Sequence, residues 1–309
     1  MAFLQRKYLT LIHNPTAGPT RVKKLSSLIA ALESRGGNVK ALQTRGVGHA
    51  TELARDAIED CDVVVAVGGD GTLAEVIGGI AGSEQLMGLI PLGTANSAAI
   101  DMGLASRLHV RWPLVVETLL SGASHPVYVG RLSDREKSKY FIMMVGVGFD
   151  AQIVGYIDLN VKKRWGKWAY ARTGLATLTS YRPKELLVND TQTNWVIAAN
   201  GQHYGGPFKV SKQADLLAPG IVVLAMRLPT RWHVLRALWD LARGALEQQD
   251  YVQCLIGRRF EISSRNDGYV PIQMDGDYFG QAPVLIEAVE KPVSFLLPKT
   301  ISSRADKKK

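Results

Sequence analysis

From Tyr8 to Gly93 the chain alternates two patterns. Short apolar runs, YLTLIH, NVKALQT, DVVVAV and MGLIPLG, read as strands. Between them, apolar residues recur at helical spacing: Val22, Leu25, Leu28, Ile29 and Leu32 before Gly36–Gly37, the segment HATELARDAIED, and Leu73, Val76, Ile77 and Ile80. Strands that alternate with helices predict a parallel sheet covered on both faces, because each parallel connection needs a crossover that packs on the sheet. Around Ser121–Pro126 the pattern changes. Strand-like runs follow with turn signals between them: VYVGRLS, YFIMMVGVG, NWVIAANG, IVVLAMRL, RRFEISS, VPIQMDGD and PVLIEAVE. They predict an antiparallel sandwich or barrel, interrupted by helices near Val161–Tyr181 and Thr230–Gln248. In the second of these, Trp232, Leu235, Leu238, Trp239 and Ala242 fall at helical spacing, and the stripe is expected to pack in the core.

Composition narrows the class. The 309 residues leave room for two domains, and 46% hydrophobic with 21% charged residues is ordinary for a folded chain. The longest apolar runs fall short of the ~20 residues of a membrane-spanning helix, and MAFLQRKYLTLIHNP has no signal-peptide pattern. Cys61 and Cys254, far apart, make no disulfide framework and fit a reducing cytoplasm. The six histidines show no metal-ligand spacing. A net charge of +9 draws the chain to polyanions. No nucleic-acid motif is present, so no nucleic-acid partner is expected; a nucleotide and an anionic membrane account for the charge.

The candidate chemistry begins at Gly68–Thr72, GGDGT, between a strand and a helix. Glycines there let backbone amides approach a phosphate, and the helix N-terminus adds positive charge. Asp70 among them would repel phosphate, so it reads as a magnesium handle, direct or through water; the alternative is a tight turn whose Asp caps the helix. NPTAG and PLGTAN lie at strand ends of the same kind, where open parallel sheets bind ligands. No G-x-x-x-x-G-K-[ST] is present. VGVGFDA, at Val145–Ala151, matches G-x-G-x-x-A without the acidic residue a ribose needs, and reads as a tight strand end.

The ordered motifs NPTAG (Asn14–Gly18), TRGVGHATELA (Thr44–Ala54), GGDGTLAEVIGG, PLGTAN (Pro91–Asn96), VGVGFDAQIV, KRWGKWAYARTGL, AANGQHYGGPFKVSKQA and MDGD run from about Tyr8 to Val289. In these the chain resembles the diacylglycerol kinase catalytic-domain family, which includes bacterial lipid kinases and sphingosine kinases. The resemblance implies an α/β plus all-β fold. A Rossmann-like ATP-binding domain would span residues 1–127, with a tail of about 291–306 packed back on it. A β-sandwich lipid-substrate domain would span 128–290, with the cleft between the two. It implies ATP held by Asn14, Pro15, Thr16, Ala17 and Gly18, by Thr44, by Gly68, Gly69, Asp70, Gly71, Thr72 and Leu73, and by Gly93, Thr94 and Asn96. Asp70 would serve Mg²⁺, and Glu75 matches a further acid facing the cleft. The family's Asp-Gly-Glu, whose carboxylate acts as general base on the lipid hydroxyl, reads Asp275-Gly276-Asp277 here, so the base is Asp275 or Asp277; Asp-Gly alone signals a hairpin turn.

Departures from the family pattern qualify these expectations. Ser97 and Ile100 replace an Asp and an Arg of many relatives, and Pro19 stands where relatives often have Lys, leaving Arg21 to do that electrostatic work. Pro219 replaces the acid before Gly220, so Asp215 alone is a poor cage and no structural magnesium is expected. Lys162, Lys163, Arg164 and Lys167 around Trp165 and Trp168 suit a membrane interface, or equally a helix with a buried stripe and a solvated basic end. The expected protein is a cytoplasmic, peripherally membrane-associated lipid kinase, compatible with a homodimer. Diacylglycerol is the default acceptor, with sphingoid base or ceramide as alternatives. NAD kinases and phosphofructokinases share Gly-Gly-Asp-Gly, but the Asn-Glu and Gly-Ser-Thr-Ala-Tyr motifs of NAD kinases are missing. Ser97, Ile100, Pro219 and Asp277 also leave open a non-catalytic lipid- or nucleotide-binding relative.

Overall fold

The computed structural model describes residues 6–15, 19–156, 178, 182–265, 269–299 and 301. The chain divides into two compact units, Met1–Tyr128 with Glu290–Lys309, and Val129–Val289.

The first unit is the predicted α/β alternation: β1 (Tyr8–His13), α1 (Pro19–Glu33), β2 (Asn38–Gln43), α2 (His49–Asp56), β3 (Val63–Gly68), α3 (Asp70–Ile80), β4 (Leu86–Pro91), α4 (Ser97–Asp101), α5 (Trp112–Ser121) and β5 (Ala123–Val127). The sheet order is β2-β1-β3-β4, then the strand Val293–Leu297, then β5. β1 to β4 pair in parallel, as does Phe295 with Met87 on β4; only β5 runs antiparallel. Central β3 is buried along Val63–Val67, which is why it reads as an unbroken β-branched run rather than an alternation. From β1 the chain goes to one side for β2 and to the other for β3. Their following loops part there, which opens a crevice at the carboxyl ends of these strands.

The second unit is a sandwich of two antiparallel six-stranded sheets. One holds Gly130–Ser133, Ser138–Phe141, Leu186–Val188, Thr191–Thr193, Arg259–Ser264 and Val284–Ala288; the other holds Met144–Val147, Trp195–Ala199, Ile221–Met226, Val252–Gly257, Pro271–Met274 and Asp277–Gln281. Residues two apart point to one face. Phe260 and Ile262, and Val284 and Ile286, therefore share a single buried cluster with Val196 and Ala198, and with Ile221 and Val223.

Two apolar runs that read as single strands are each divided. YFIMMVGVG gives its first part to one sheet and its second to the other, crossing at Ile142–Met143. VPIQMDGD ends one strand and begins the next, because Asp275-Gly276 is a two-residue turn. After Val147, Gly148 leads into a helix that the apolar pattern did not suggest, α6 (Phe149–Tyr156).

The helix expected near Thr230–Gln248 is α7 (Arg231–Ala242), which stops before Gly244 and is followed by a short 3-10 turn at Leu246–Gln248. Its expected core stripe is a correction. Trp232 and Trp239 are 67% and 64% exposed, Leu235 is 37% exposed, and Ala242 is exposed too. The buried row is Val234, Ala237 and Leu241, on the opposite side of the helix. Both rows have helical period, so periodicity alone could not choose between them; the row that packs is the one without the tryptophans. The helix expected at Val161–Tyr181, with its basic and tryptophan residues, lies outside the described residues apart from Leu178.

Candidate functional site

Two adjoining clefts occupy the crevice beyond β1 and β3. The first, about 120 Å³, is lined by His13, Asn14, Arg21, Gly68, Gly69 and Gly93, among others. The second, about 270 Å³, is lined by Asn14, Pro15, Thr44, Arg45, Gly46, Thr72 and Glu75, among others. Neither alone reaches the ~300 Å³ at which small-molecule pockets begin, but sharing Asn14 and Thr72 they reach it together.

The glycine loops are built for close approach. A Cβ on Gly93 would stand 2.3 Å from Gly69 Cα, and one on Gly68 would stand 2.6 Å from Thr72 Oγ1. The Leu92 and Gly93 amides donate to the Gly68 carbonyl at 3.0 and 3.1 Å, so the loops after β3 and β4 touch backbone to backbone. Beside Gly46 the space is open, with nothing within 4 Å of where a Cβ would be.

Of the residues singled out from sequence, Asn14, Pro15, Thr44, Gly68, Gly69, Thr72, Glu75 and Gly93 meet in these clefts. Thr16, Ala17 and Gly18 lie outside the described residues. The others sit around the clefts in structural positions. Leu73 is wholly buried, and Gly71 is in the first turn of α3. Thr94 Oγ1 accepts a hydrogen bond from Arg21, 3.1 Å away. Asn96, in the left-handed region at φ 52°, donates its amide to the Pro91 and Gly93 carbonyls and braces its own loop. Glu75 accepts from the Ala50 amide at 3.3 Å, tying α3 to α2.

Asp70 accepts the Ser97 and Ala98 amides at 3.0 and 3.1 Å, so it caps the short helix α4 rather than its own helix. Burial raises its pKa; the two amides oppose the shift and the charge of Asp101 adds to it. The Ser97 side chain hydrogen-bonds the same carboxylate. Among the described residues no cluster of three His, Cys, Asp or Glu could hold a metal by itself. This donor set fits a magnesium carried mainly by phosphates and steadied by one carboxylate, since Mg²⁺ keeps most of its waters and takes few protein ligands.

His13 is a cleft residue that the sequence reading passed over. Burial lowers its pKa below the ordinary imidazole value. Its place as the last residue of β1 was the available signal.

In the second unit, Asp275 Oδ2 accepts the Ile142 amide at 2.8 Å, and Oδ1 accepts the Met143 and Met144 amides at 2.9 Å each. Asn200 grips the same bend by donating its side-chain amide to the Ile142 carbonyl at 2.8 Å. Asp275 therefore holds the point where the chain passes between sheets. Both residues of its turn have positive φ, 50° for Asp275 and 89° for Gly276, as in two-residue hairpins. Asp277, the next residue, is exposed.

Behind that turn is a buried polar chain. Trp195 Nε1 donates to Asp150 Oδ1 at 2.9 Å, Gln273 Nε2 donates to Asp150 Oδ2 at 3.1 Å, and Gly276 N donates to Gln273 Oε1 at 2.9 Å. Burial pushes the Asp150 pKa up to about 6, against hydrogen bonds from Gln273 and Trp195. A Cβ at Gly146 would overlap the Asp150 carboxylate, so the glycine of VGVGFDA makes room for an acid instead of for phosphate. Sequence reading could not assign Asp150, because its partners lie 45 and 123 residues away.

Residues 8–132 match the diacylglycerol kinase catalytic domain, and residues 143–297 match the YegS C-terminal NAD kinase beta sandwich-like domain. The chain belongs to the diacylglycerol kinase family. It is similar to the Diacylglycerol kinase of Bacillus subtilis (strain 168), 23% identical over 97% of this chain and 99% of that one. To the Diacylglycerol kinase of Staphylococcus aureus (strain bovine RF122 / ET3-1) it is 28% identical, over 96% and 94%. Among solved structures it superposes on a diacylglycerol kinase from Bacillus anthracis str. Sterne with a TM-score of 0.71, at 19% identity over 96% of this chain and 99% of that chain, which shows a shared fold. In this family the sandwich follows the parallel-sheet unit, as the expected fold class required.

Proposed function

We propose that the chain is an ATP-dependent lipid kinase that transfers the γ-phosphate to the hydroxyl of a membrane lipid, diacylglycerol in the first instance, to give phosphatidic acid and ADP. The observation that carries the reading is the pair of glycine-lined clefts at the carboxyl ends of β1 and β3, in a chain whose family motifs run through both units. The amides around Gly68–Gly69 and Gly93, the α3 N-terminus and Arg21 receive the nucleotide's phosphates. Asn14, Thr44, Thr72 and Glu75 line the second cleft and orient the rest of the nucleotide. Asp70, fixed by two amides, would steady Mg²⁺, which neutralises phosphate charge.

Asp277 is the general base in this reading, because the oxygens of Asp275 are engaged by three amides and Asp277 is exposed. Its carboxylate takes the hydroxyl proton as the lipid oxygen bonds to the γ-phosphorus and the bond to the ADP oxygen breaks. Positioning and charge neutralisation supply most of the acceleration. Cytoplasmic location with peripheral membrane contact belongs to the same reading. Among the described residues no helix is long and apolar enough to cross a membrane.

The test is incubation with Mg-ATP and a panel of diacylglycerol, ceramide and sphingoid base, with mass spectrometry of phosphorylated products. Phosphatidic acid is the expected product, and Asp70→Asn should lower its rate by about 10²–10³-fold. An unchanged rate in Asp70→Asn rejects the role given to that carboxylate. No product from any lipid favours a non-catalytic relative.

A further inference from the structure

We propose that the outward face of α7 is a docking surface for an anionic phospholipid bilayer. At 100° per residue, Trp232, Leu235 and Trp239 lie on the side away from the buried row Val234, Ala237 and Leu241. Single exposed apolar residues are normal, but two tryptophans and a leucine along one helical stripe need a partner. The charges on the same helix choose it. Arg231 lies over the Trp232 ring at 5.5 Å and Arg243 over the Trp239 ring at 5.8 Å, while Arg236 stands between them. The acid of this helix, Asp240, is buried and is held by Arg243 and by the Tyr251 hydroxyl. Arg236 also faces Asp240 at 3.8 Å and the exposed Asp250 at 3.5 Å.

A symmetric contact with a second copy would set this arginine-studded stripe against itself, like charge on like. A bilayer surface does the opposite. It takes indole rings at the headgroup level and anionic phosphates beside the guanidinium groups. The inference deepens the lipid-kinase reading and rests on it for the reason a surface is needed.

The experiment measures vesicle binding without ATP, so that its outcome is separate from catalysis. The full chain should co-sediment with phosphatidylcholine vesicles that contain phosphatidylglycerol, less with phosphatidylcholine alone, and less again as salt is raised. The Trp232→Ala/Trp239→Ala double variant should bind about tenfold more weakly. It should also phosphorylate vesicle-embedded diacylglycerol more slowly, while its rate on a short-chain, water-dispersed diacylglycerol stays unchanged. Equal vesicle binding by wild type and double variant overturns the inference. So does a wild-type dimer that the double substitution splits while vesicle binding is untouched, since the partner is then a second copy. Should the double variant not fold, a Trp112→Phe/Trp165→Phe/Trp168→Phe variant, which keeps only Trp232, Trp239 and the buried Trp195, still decides: quenching of its fluorescence by brominated phosphatidylglycerol is expected, and its absence overturns the inference. If wild type phosphorylates no lipid yet the vesicle difference holds, the kinase reading fails and the docking surface stands.

Discussion

Asp70 and Asp275 stand in the same kind of sequence, an aspartate against glycine just beyond a strand, one in each unit. In both, the carboxylate takes backbone amides from a segment distant in the chain. Asp70 reaches 27 and 28 residues ahead to Ser97 and Ala98, and Asp275 reaches 131–133 residues back to Ile142, Met143 and Met144. The difference lies in what each one holds. Asp70 joins two loops that border open clefts, and burial raises its pKa. Asp275 holds a bend inside the sandwich with three amides, at the cost of a left-handed backbone. A carboxylate bound in this way is an anchor, which is why the proposed base is its neighbour Asp277.

The largest effect should come from separating anchor from neighbour. Asp277→Asn is expected to lower kcat by about 10²–10⁴-fold with little change in thermal midpoint, as for other exposed substitutions. Full activity in that variant would return the base to Asp275.

Next comes Asp275→Ala, which leaves three amides without their acceptor and should cost about 3 kcal/mol or more in urea unfolding. Asp70→Ala, which strips the acceptor from two amides rather than three, should cost less. Equal losses would erase the contrast between the units.

Gly93→Ala tests the first unit without touching a charge. Its Cβ would fall 2.3 Å from Gly69 Cα, so a loss of about 1–3 kcal/mol and a higher KM for ATP are expected. An unchanged KM would mean that the contact of the two loops does not shape the nucleotide site.

The smallest effect is a pH dependence behind the Asp275–Asp277 turn. The Asp150 pKa is raised to about 6, so the native state binds its proton more tightly than the unfolded chain does. Stability from this group is complete below its ordinary value near 4 and is lost as pH rises through about 6. The stability of wild type relative to Asp150→Asn should therefore fall between pH 4 and pH 7 in urea titrations. A constant or rising difference would contradict the raised pKa.

Local pattern by itself determined a good deal. Alternating strand and helix periods gave the parallel-sheet unit, because burial on both faces of β3 and on one face of each helix leaves its period in the chain. The glycine-rich junctions after β1, β3 and β4 were legible for the same reason: a strand, a tight turn and a helix are consecutive in sequence. The ordered motifs fixed the family.

Tertiary structure decided everything that depends on a distant partner. It placed Val293–Leu297 between β4 and β5, and divided YFIMMVGVG between two sheets. It buried Val234, Ala237 and Leu241 and left the tryptophans outside, although both rows share one period. Above all it chose the partners of Asp70, Asp150 and Asp275. A carboxylate carries the same letter whether its oxygens face a cleft or a neighbouring backbone. Which of the two it meets depends on contacts between residues far apart in sequence, and local periodicity carries no record of those.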